Sequence, residues 1–123
     1  MTLLDASPVK IDLRVPDGTD VDVEFQLTDG TDPINITSDD VMFTAKSVPQ
    51  GVVKVATKTN GVGDHSSPAI GKTVFALTRT ELALADEEVP ETWAYEVRRS
   101  SGGKERVYIS GVLRVGPMVG TDA

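Results

Sequence analysis

The sequence predicts an all-β protein, an antiparallel sandwich of two sheets with about seven strands and one short helical turn. Short runs of alternating apolar and polar residues recur along the chain, and they are rich in the β-branched residues that favour a pleated surface. Turn residues, chiefly Gly, Pro, Asp and Ser, separate these runs at intervals of roughly 8 to 15 residues. No run has the period of a long helix. An open barrel is the competing architecture.

The clearest strand pair is predicted on either side of residues 100–104, a Ser- and Gly-rich segment suited to a hairpin reversal. With a period of two, Trp93, Tyr95 and Val97 share one face of the first strand. In the second strand, Tyr108 falls on the face opposite to the apolar one. We therefore expect an antiparallel ribbon whose aromatic face packs into the core. The charged residues flanking the turn are expected to be solvated: Arg98, Arg99, Lys104 and Arg106.

Five further strands are predicted, at residues 9–15, 21–27, 41–46, 52–58 and 72–78. In the first, the alternate residues from Val9 to Val15 all point to one side, as expected of a single strand. In the fourth, Val53 and Val55 are expected on the core side, and the lysines suit an edge strand. The core positions of the other three strands are Val21, Val23, Phe25, Leu27, Val41, Phe43, Ala45, Phe75 and Leu77.

Residues 59–71 form the longest irregular segment and contain three Gly, one Pro, two Ser and the single histidine, His65. Loops of about this length often carry function or form an interface. Thr78 and Glu81 have the spacing of a capping box, which predicts a helical turn at residues 79–85 between the two sheets. The acidic residues 86–91 then link this turn to the next strand.

The length of 123 residues fits one domain with one core. We expect the sandwich at residues 9–115, preceded by an N-terminal arm at 1–8 and followed by a C-terminal tail at 116–123. The arm and the tail contain apolar residues that belong to no local pattern, and such residues dock on a partner more readily than they face water. The candidate interface residues are Leu3, Leu4, His65, Met118 and Val119.

The net charge of −7 argues against nucleic-acid binding, because phosphate recognition depends on clustered Lys and Arg. The absence of cysteine excludes disulfides and thiolate metal sites. No stretch approaches the roughly 20 apolar residues of a membrane span, and the N-terminal sequence lacks the pattern of a signal peptide. We therefore expect assembly in the cytoplasm, with no nucleic-acid or membrane partner.

Two groups of polar residues suggest metal chemistry, and each has a simpler structural explanation. His65 beside Asp64 suggests a metal corner or a general base, but a single histidine provides no His-based triad or multi-histidine site. A solvated loop histidine is expected instead. The carboxylates within residues 17–22 and 29–32 could gather around calcium, but they lack the spacing of a calcium-binding loop and suit tight turns.

Two further groups suggest carbohydrate chemistry. The carboxylates of residues 86–91 could include a glycosidase pair, but such a pair needs a cleft and a fixed separation. Trp93 and Tyr95 could stack on a sugar, yet their alternation with charged neighbours favours the core. The sequence therefore predicts no catalytic, cofactor-binding or metal-binding residue, no small-molecule substrate and no enzymatic activity.

The order of several segments carries a resemblance to a known family. The segments are residues 21–27 followed by Asp29-Gly30, residues 33–37 leading into 41–45, residues 71–78, residues 93–97, the Gly103-Lys104 turn and residues 111–115. In this order the chain resembles the immunoglobulin-like domain of phage baseplate upper proteins and related tail-associated virion proteins. The resemblance implies an immunoglobulin-like sandwich and a structural module that attaches fibres or packs beside other copies. It implies no catalytic residues.

Two departures from the family refine this expectation. No fibrous region follows residue 115, and the acidic segment 86–91 is longer than the family pattern suggests. Both favour a short adaptor or decorating subunit. We therefore expect a non-enzymatic structural subunit of a phage virion, a tail or baseplate adaptor or attachment module, assembled in the host cytoplasm. Its expected partners are other virion proteins and copies of itself. The alternatives are a capsid decoration or head-fibre protein and a carbohydrate-binding module.

Overall fold

The computed structural model describes residues 9–29, 31–48, 50–84 and 89–116. These residues form eight strands and a three-residue 3-10 helix, Pro68–Ile70. The strands are β1 Val9–Lys10, β2 Leu13–Pro16, β3 Val21–Gln26, β4 Asp40–Ser47, β5 Val53–Asn60, β6 Lys72–Leu77, β7 Glu91–Ser101 and β8 Lys104–Gly116.

The strands form two sheets, as the sequence predicts. The large sheet has the order β1-β8-β7-β4-β5, with β2 also paired to β8, and the small sheet is the antiparallel pair β3-β6. In this arrangement β4, β5, β7 and β8 take the places of the C, C′, F and G strands of an immunoglobulin-like sandwich, and β3 and β6 those of B and E. Two pairings differ from the predicted antiparallel pattern, since β1 and β2 both run parallel to β8.

The core lies between the sheets and is built around four aromatic rings. Phe25 and Phe75 come from the small sheet, and Phe43 and Tyr95 come from the large one. Five pairs of these rings have centroids 5.6 to 6.1 Å apart, a range in which aromatic packing adds to the burial of apolar area. Trp93 packs beside them and is only 1% exposed. The prediction that the aromatic face of β7 points into the core is confirmed.

The predicted first strand is interrupted, which explains why Val9 and Ile11 are 44% and 38% exposed rather than buried. Between β1 and β2 the Ile11 carbonyl crosses β8 at Gly111 and accepts a hydrogen bond from the Tyr95 hydroxyl. A Cβ atom at position 111 would collide with that carbonyl oxygen. The strand therefore breaks where a glycine lets its backbone approach closely.

The Asp12 carboxylate completes this break. Its Oδ1 accepts a hydrogen bond from the Val112 N–H at 3.1 Å, in place of a backbone carbonyl. Pairing then resumes at Leu13 opposite Leu113. The Val112 N–H of β8 therefore keeps a hydrogen-bond acceptor although the strand pairing is interrupted. The Ile11 carbonyl is free to point toward Tyr95 instead.

Two bulges shift residues away from the faces that alternation predicts. In β5, Lys46 pairs with Val53 and Ala45 pairs with Val55, so Val55 is buried while Val53 is 52% exposed. In β8, a shift opposite Val97 and Arg98 brings Tyr108 against the core instead of leaving it on the outer face. A bulge inserts one residue into a ladder and so reverses the local alternation.

The predicted capping box forms without a helix. The Thr78 N–H donates to Glu81 Oε1 at 2.9 Å, and the Glu81 N–H donates to Thr78 Oγ1 at 3.2 Å. The segment continues only as a turn through Leu82, whose side chain is buried. The short helix lies instead at Pro68–Ile70, inside the segment that was expected to be irregular.

We predict that Gly111→Ala destabilises the protein strongly. The added methyl group requires the Ile11 backbone to move, which breaks the bond from Tyr95, and overpacking of this kind costs about 1 to 3 kcal/mol. Ser110→Ala, one residue away on the solvent side, is the matched control and should change the free energy of unfolding by less than about 0.5 kcal/mol. Equal urea denaturation midpoints for the two variants would contradict the close approach.

Tyr95 gives a second prediction, on alkaline stability. Burial, with a smaller contribution from Asp12, raises the pKa of Tyr95 from 10.0 to about 12. The folded state therefore holds this proton more tightly than the unfolded chain. Its contribution to stability is complete below pH 10 and is lost as the pH rises to 12, an effect of about 2 to 3 kcal/mol.

The Tyr95→Phe variant isolates this effect. It leaves the Ile11 carbonyl without its donor, so the variant is less stable at neutral pH by about 1 to 3 kcal/mol. Between pH 10 and 12, however, its free energy of unfolding should fall less steeply than that of the wild type. Denaturant titrations at several pH values measure both slopes, and parallel slopes would rule out Tyr95 as the titrating group.

Candidate functional site: the outer face of the large sheet

His65 is bonded at both ring nitrogens, so the expectation of a solvated loop histidine is wrong. Its Nε2 lies 2.8 Å from the Asp39 carbonyl oxygen, and its Nδ1 lies 3.0 Å from Thr73 Oγ1. A carbonyl oxygen can only accept, so Nε2 carries a proton. The Thr73 hydroxyl also accepts from the Asn60 amide at 2.7 Å. His65 therefore ties its loop to both sheets, and its interface role stays a prediction.

The same end of the sandwich contains an ion pair that the sequence did not single out. Arg99 Nε donates to Asp39 Oδ2 at 2.7 Å, and Arg99 Nη1 donates to the Tyr108 hydroxyl at 3.0 Å. The Asp39 side chain is 8% exposed and that of Arg99 is 21% exposed. Burial disfavours the charge on Arg99, but its bonds to Asp39 and Tyr108 outweigh burial and raise the pKa of the guanidinium. Arg99 is therefore not a solvated turn residue.

Other sequence candidates have structural roles or lie outside the described residues. The latter group comprises Leu3, Leu4, Met118 and Val119. Asp29 Oδ1 accepts bonds from the Thr31 and Asp32 N–H groups, which lower the pKa of Asp29. Asp20 Oδ1 accepts from the Arg79 N–H. Among the described residues, no group of three or more His, Cys, Asp or Glu side chains could hold a metal ion.

The aromatic residues offer no platform for sugar stacking. All six lie within the described ranges, and five of them are at most 4% exposed. The sixth, Tyr108, is half-buried, with the Arg99 and Arg106 guanidinium groups 5.8 and 6.0 Å from its ring centroid. Over the part of the chain that the structure describes, no helix is long and apolar enough to cross a bilayer.

The outer face of the large sheet, the side turned away from β3 and β6, is a broad candidate surface. It bears an open groove of about 1070 Å³. One row across the strands consists of Val112, Ala94, Lys46 and Val53, which are register neighbours on β8, β7, β4 and β5. These positions alternate with buried residues such as Leu113 and Ala45, so their side chains face outward.

Charge is unevenly distributed over this face. At the end near the β7-β8 hairpin, Arg98 is neutralised by Glu96 at 2.8 Å and by Glu105 at 3.4 Å. At the other end, Arg14 and Arg114 are register partners on neighbouring parallel strands. Neither arginine forms an ion pair with any residue that the structure describes. We call this end of the face, marked by Arg14 and Arg114, the arginine end.

Exposed valines lie next to the arginine end. Three of them lie in the β4-β5 turn or at the start of β5 and one lies just before β7, and all four are 49 to 56% exposed. They are Val48, Val52, Val53 and Val89. Apolar side chains beside unpaired positive charges are typical of a surface that binds another protein.

Comparisons with known proteins leave the family open. No family model matches the chain, and no curated protein matches it. Among solved structures, the N-terminal domain of phage TP901-1 ORF48 is similar over 90% of this chain and 84% of that chain, with 17% identity and a TM-score of 0.43. A sialyltransferase from Photobacterium damsela is similar over 89% of this chain, with 11% identity and a TM-score of 0.41. This chain spans only 18% of that protein. With TM-scores below 0.5, neither similarity assigns a function.

The Asp39-Arg99 pair yields a stability prediction. Asp39→Asn leaves a largely buried guanidinium without its counter-charge, which should lower the free energy of unfolding by about 3 kcal/mol. Glu105→Gln breaks the exposed pair with Arg98 and should cost at most about 1 kcal/mol. Thermal or urea unfolding of both variants checks the difference. Similar small losses would mean that Asp39 and Arg99 are solvated.

Proposed function

We propose that this protein is a non-enzymatic structural subunit of a phage virion that works through protein-protein contacts. The sequence resemblance to the immunoglobulin-like domain of baseplate upper proteins supports the phage assignment. The outer face of the large sheet supports the mode of action. Its partners on this proposal are other virion proteins and copies of itself, and its place is the virion after assembly in the host cytoplasm.

The observation that carries the proposal is the character of the outer face. Ala94 and Val53 are exposed in its central row, and Val112 is half-buried there. Small side chains on a sheet lose little conformational entropy when they are covered, because few rotamers are fixed on binding. The surface is thus suited to contact with a rigid protein partner.

The opposite side of the large sheet contributes the rigidity that such a contact needs. The rings of Phe25, Phe43, Phe75 and Tyr95 hold the two sheets together. At one end, His65 and Arg99 fasten the loop and the hairpin to the strands. A preorganised surface loses less free energy on association than a mobile one.

Within this role we favour a tail or baseplate adaptor or attachment module. The described sandwich has one broad outer face and two ends, so it can contact two neighbours at once. A capsid decoration protein would use the same face against a capsid surface. The position of the protein in the particle separates these two possibilities.

Electron microscopy of phage particles with and without this protein tests the proposal. We expect the protein in purified particles at a regular copy number and a defined density that disappears when its gene is deleted. Particles unchanged by the deletion, or lacking the protein in the wild type, would overturn the structural role.

Two alanine variants refine this experiment. Ala94 is exposed on the outer face of the large sheet, and Ala76 is exposed on the small sheet. Ala94→Arg should reduce incorporation into particles by about tenfold or more, since it places a long charged side chain in the contact. Ala76→Arg, the same change on the other sheet, should be incorporated normally. Equal incorporation of both variants would exclude the outer face as the contact.

A further inference from the structure

The outer face of the large sheet carries opposite net charge at its two ends. At the arginine end, the Lys46 side chain is also exposed, on β4. Like Arg14 and Arg114, Lys46 forms no ion pair with any residue that the structure describes. The Asp12 carboxylate, between β1 and β2, accepts a hydrogen bond from the Val112 N–H. Over the described part of the face, this end therefore has three positive charges against one negative charge.

The opposite end of the face is acidic. This hairpin end is formed by Glu96 and Arg98 of β7, Glu105 of β8 and Asp40 of β4. Asp40 and Glu105 are both register partners of Ser100, so the two exposed carboxylates flank that serine in one row across the sheet. Three carboxylates against the one guanidinium of Arg98 give this end a net negative charge.

The charged rows at the two ends lie at equal distances from the middle of β7. Arg114 is the register partner of Thr92, and Glu105 is the register partner of Ser100. Thr92 and Ser100 are each four residues from Glu96, about 13 Å along an extended strand. A two-fold axis that crosses β7 at Glu96, parallel to the sheet and perpendicular to its strands, therefore exchanges the two rows. It places β8 of one copy over β8 of the other in the opposite direction.

The middle of the face permits two sheets to approach each other. The side chains between the charged rows are short or flexible, and they are Met42, Thr44, Ala94, Ser110 and Val112. The Thr44 hydroxyl is bonded to that of Thr57 at 2.8 Å, so a covering surface need not provide it with a partner. Stacked sheets lie about 10 Å apart, a distance that such side chains can fill from both sides. Near the axis, Glu96 keeps Arg98 of its own copy as its counter-ion.

This charge pattern selects a second copy as the partner. A surface that is positive and negative at equal distances from one axis is complementary to itself, because the two-fold rotation brings each end against the opposite end. The outer face of the small sheet offers no such match. Its charged residues are Asp22, Glu24 and Lys72, so it is acidic and would repel the hairpin end. A partner of uniform charge would likewise be repelled at one of the two ends.

We propose that two copies of this protein pair through the outer faces of their large sheets, with their strands antiparallel. Glu105 of each copy lies between Arg14 and Arg114 of the other. Because Arg14 is the register partner of Arg114, one carboxylate can reach both guanidinium groups. The inference rests on the proposed structural role and identifies one of its contacts. Since both copies use the same surface, the association is closed and stops at two copies.

The size of the face predicts a weak pair. The face extends about 26 Å from Thr92 to Ser100 and about 19 Å across five strands, which is about 500 Å² in projection on each copy. This area is at the lower end for specific interfaces, so we expect a dissociation constant in the micromolar range. At about 0.15 M ionic strength the Debye length is about 8 Å, so charges at the contact act more strongly than the net charge of −7.

Charge reversal on one side of the contact, followed by mixing, tests this arrangement. The Arg14→Glu, Arg114→Glu variant places glutamates against Glu105 of the other copy, and the Glu105→Arg variant places an arginine against the two arginines. Each variant alone should dimerise about tenfold more weakly than the wild type in sedimentation at about 0.15 M salt. Mixed in equal amounts, the two variants should form a heterodimer, because both ends of the contact again join opposite charges. A mixture without a heterodimer would overturn the proposal.

The matched control reverses two charges on the other side of the molecule. Lys72 lies on β6 and Arg79 follows that strand, so both are away from the outer face of the large sheet. The Lys72→Glu, Arg79→Glu variant has the same net charge as the Arg14→Glu, Arg114→Glu variant and should dimerise as the wild type does. Equal weakening by these two variants would show a general charge effect and would overturn the assigned contact.

A cysteine cross-link gives an independent readout that leaves all charges in place. The chain has no cysteine, and Ser110 is the register partner of Glu96, close to the proposed axis. In the Ser110→Cys variant the two thiols lie about 10 Å apart across the contact, so a bismaleimide of matching length should join them. Ala76→Cys, on the exposed side of the small sheet, should give no cross-linked dimer at the same concentration. Equal yields from the two variants would contradict the pairing.

The state of association separates this inference from the proposed function. A monomer at concentrations up to about 1 mM, or oligomers that grow beyond two copies, would overturn the closed pair. A monomer that is found in phage particles overturns only the pair. A dimer that is absent from particles overturns only the structural role.

Discussion

The hydrogen bond from the Tyr95 hydroxyl to the Ile11 carbonyl determines how the first strand joins the sandwich. It directs a backbone carbonyl over Gly111 and into the core, and it divides the strand into β1 and β2. The Tyr95 hydroxyl and the Ile11 carbonyl satisfy each other in a part-buried hydrogen bond, and leaving either group without a partner there would cost stability. Because β2 resumes its pairing with Leu13 opposite Leu113, Arg14 comes to lie beside Arg114. A contact within the core therefore fixes the charge pattern of the opposite, outer face.

The sequence allowed prediction of most of the fold wherever alternation is unbroken. Phe25, Phe43, Phe75 and Trp93 are all buried as predicted, since a period of two assigns a face to each residue of a regular strand. Val53 was misplaced because a bulge reverses that assignment, and a bulge depends on the partner strand as well as on the local sequence. The broken first strand depends in the same way on Gly111, which is 100 residues distant from Ile11 in the chain.

The candidate sites were harder to predict because they join distant residues. His65 bonds to Asp39, 26 residues away, and Arg99 bonds to the same aspartate across 60 residues. The local sequence pattern places each of these side chains in a loop or a turn. It does not predict that they contact one another. One signal was available: Arg99 continues the inward series that begins at Trp93 and includes Tyr95, so a charge on that side required a partner. The composition of the outer face could not be predicted either. Its rows of residues come from four strands, and the order of these strands in the sheet is not visible in the local sequence pattern.

The distribution of charge on the outer face also bears on the symmetry of an assembly. Two copies packed face to face with antiparallel strands would bring Arg14 and Arg114 of one copy toward Glu96 and Glu105 of the other. Glu96 and Glu105 carry two negative charges against the one of Arg98, so such a contact would bring opposite charges together at both ends of the face. The net charge of −7 per copy would oppose any such association unless salt screens the repulsion.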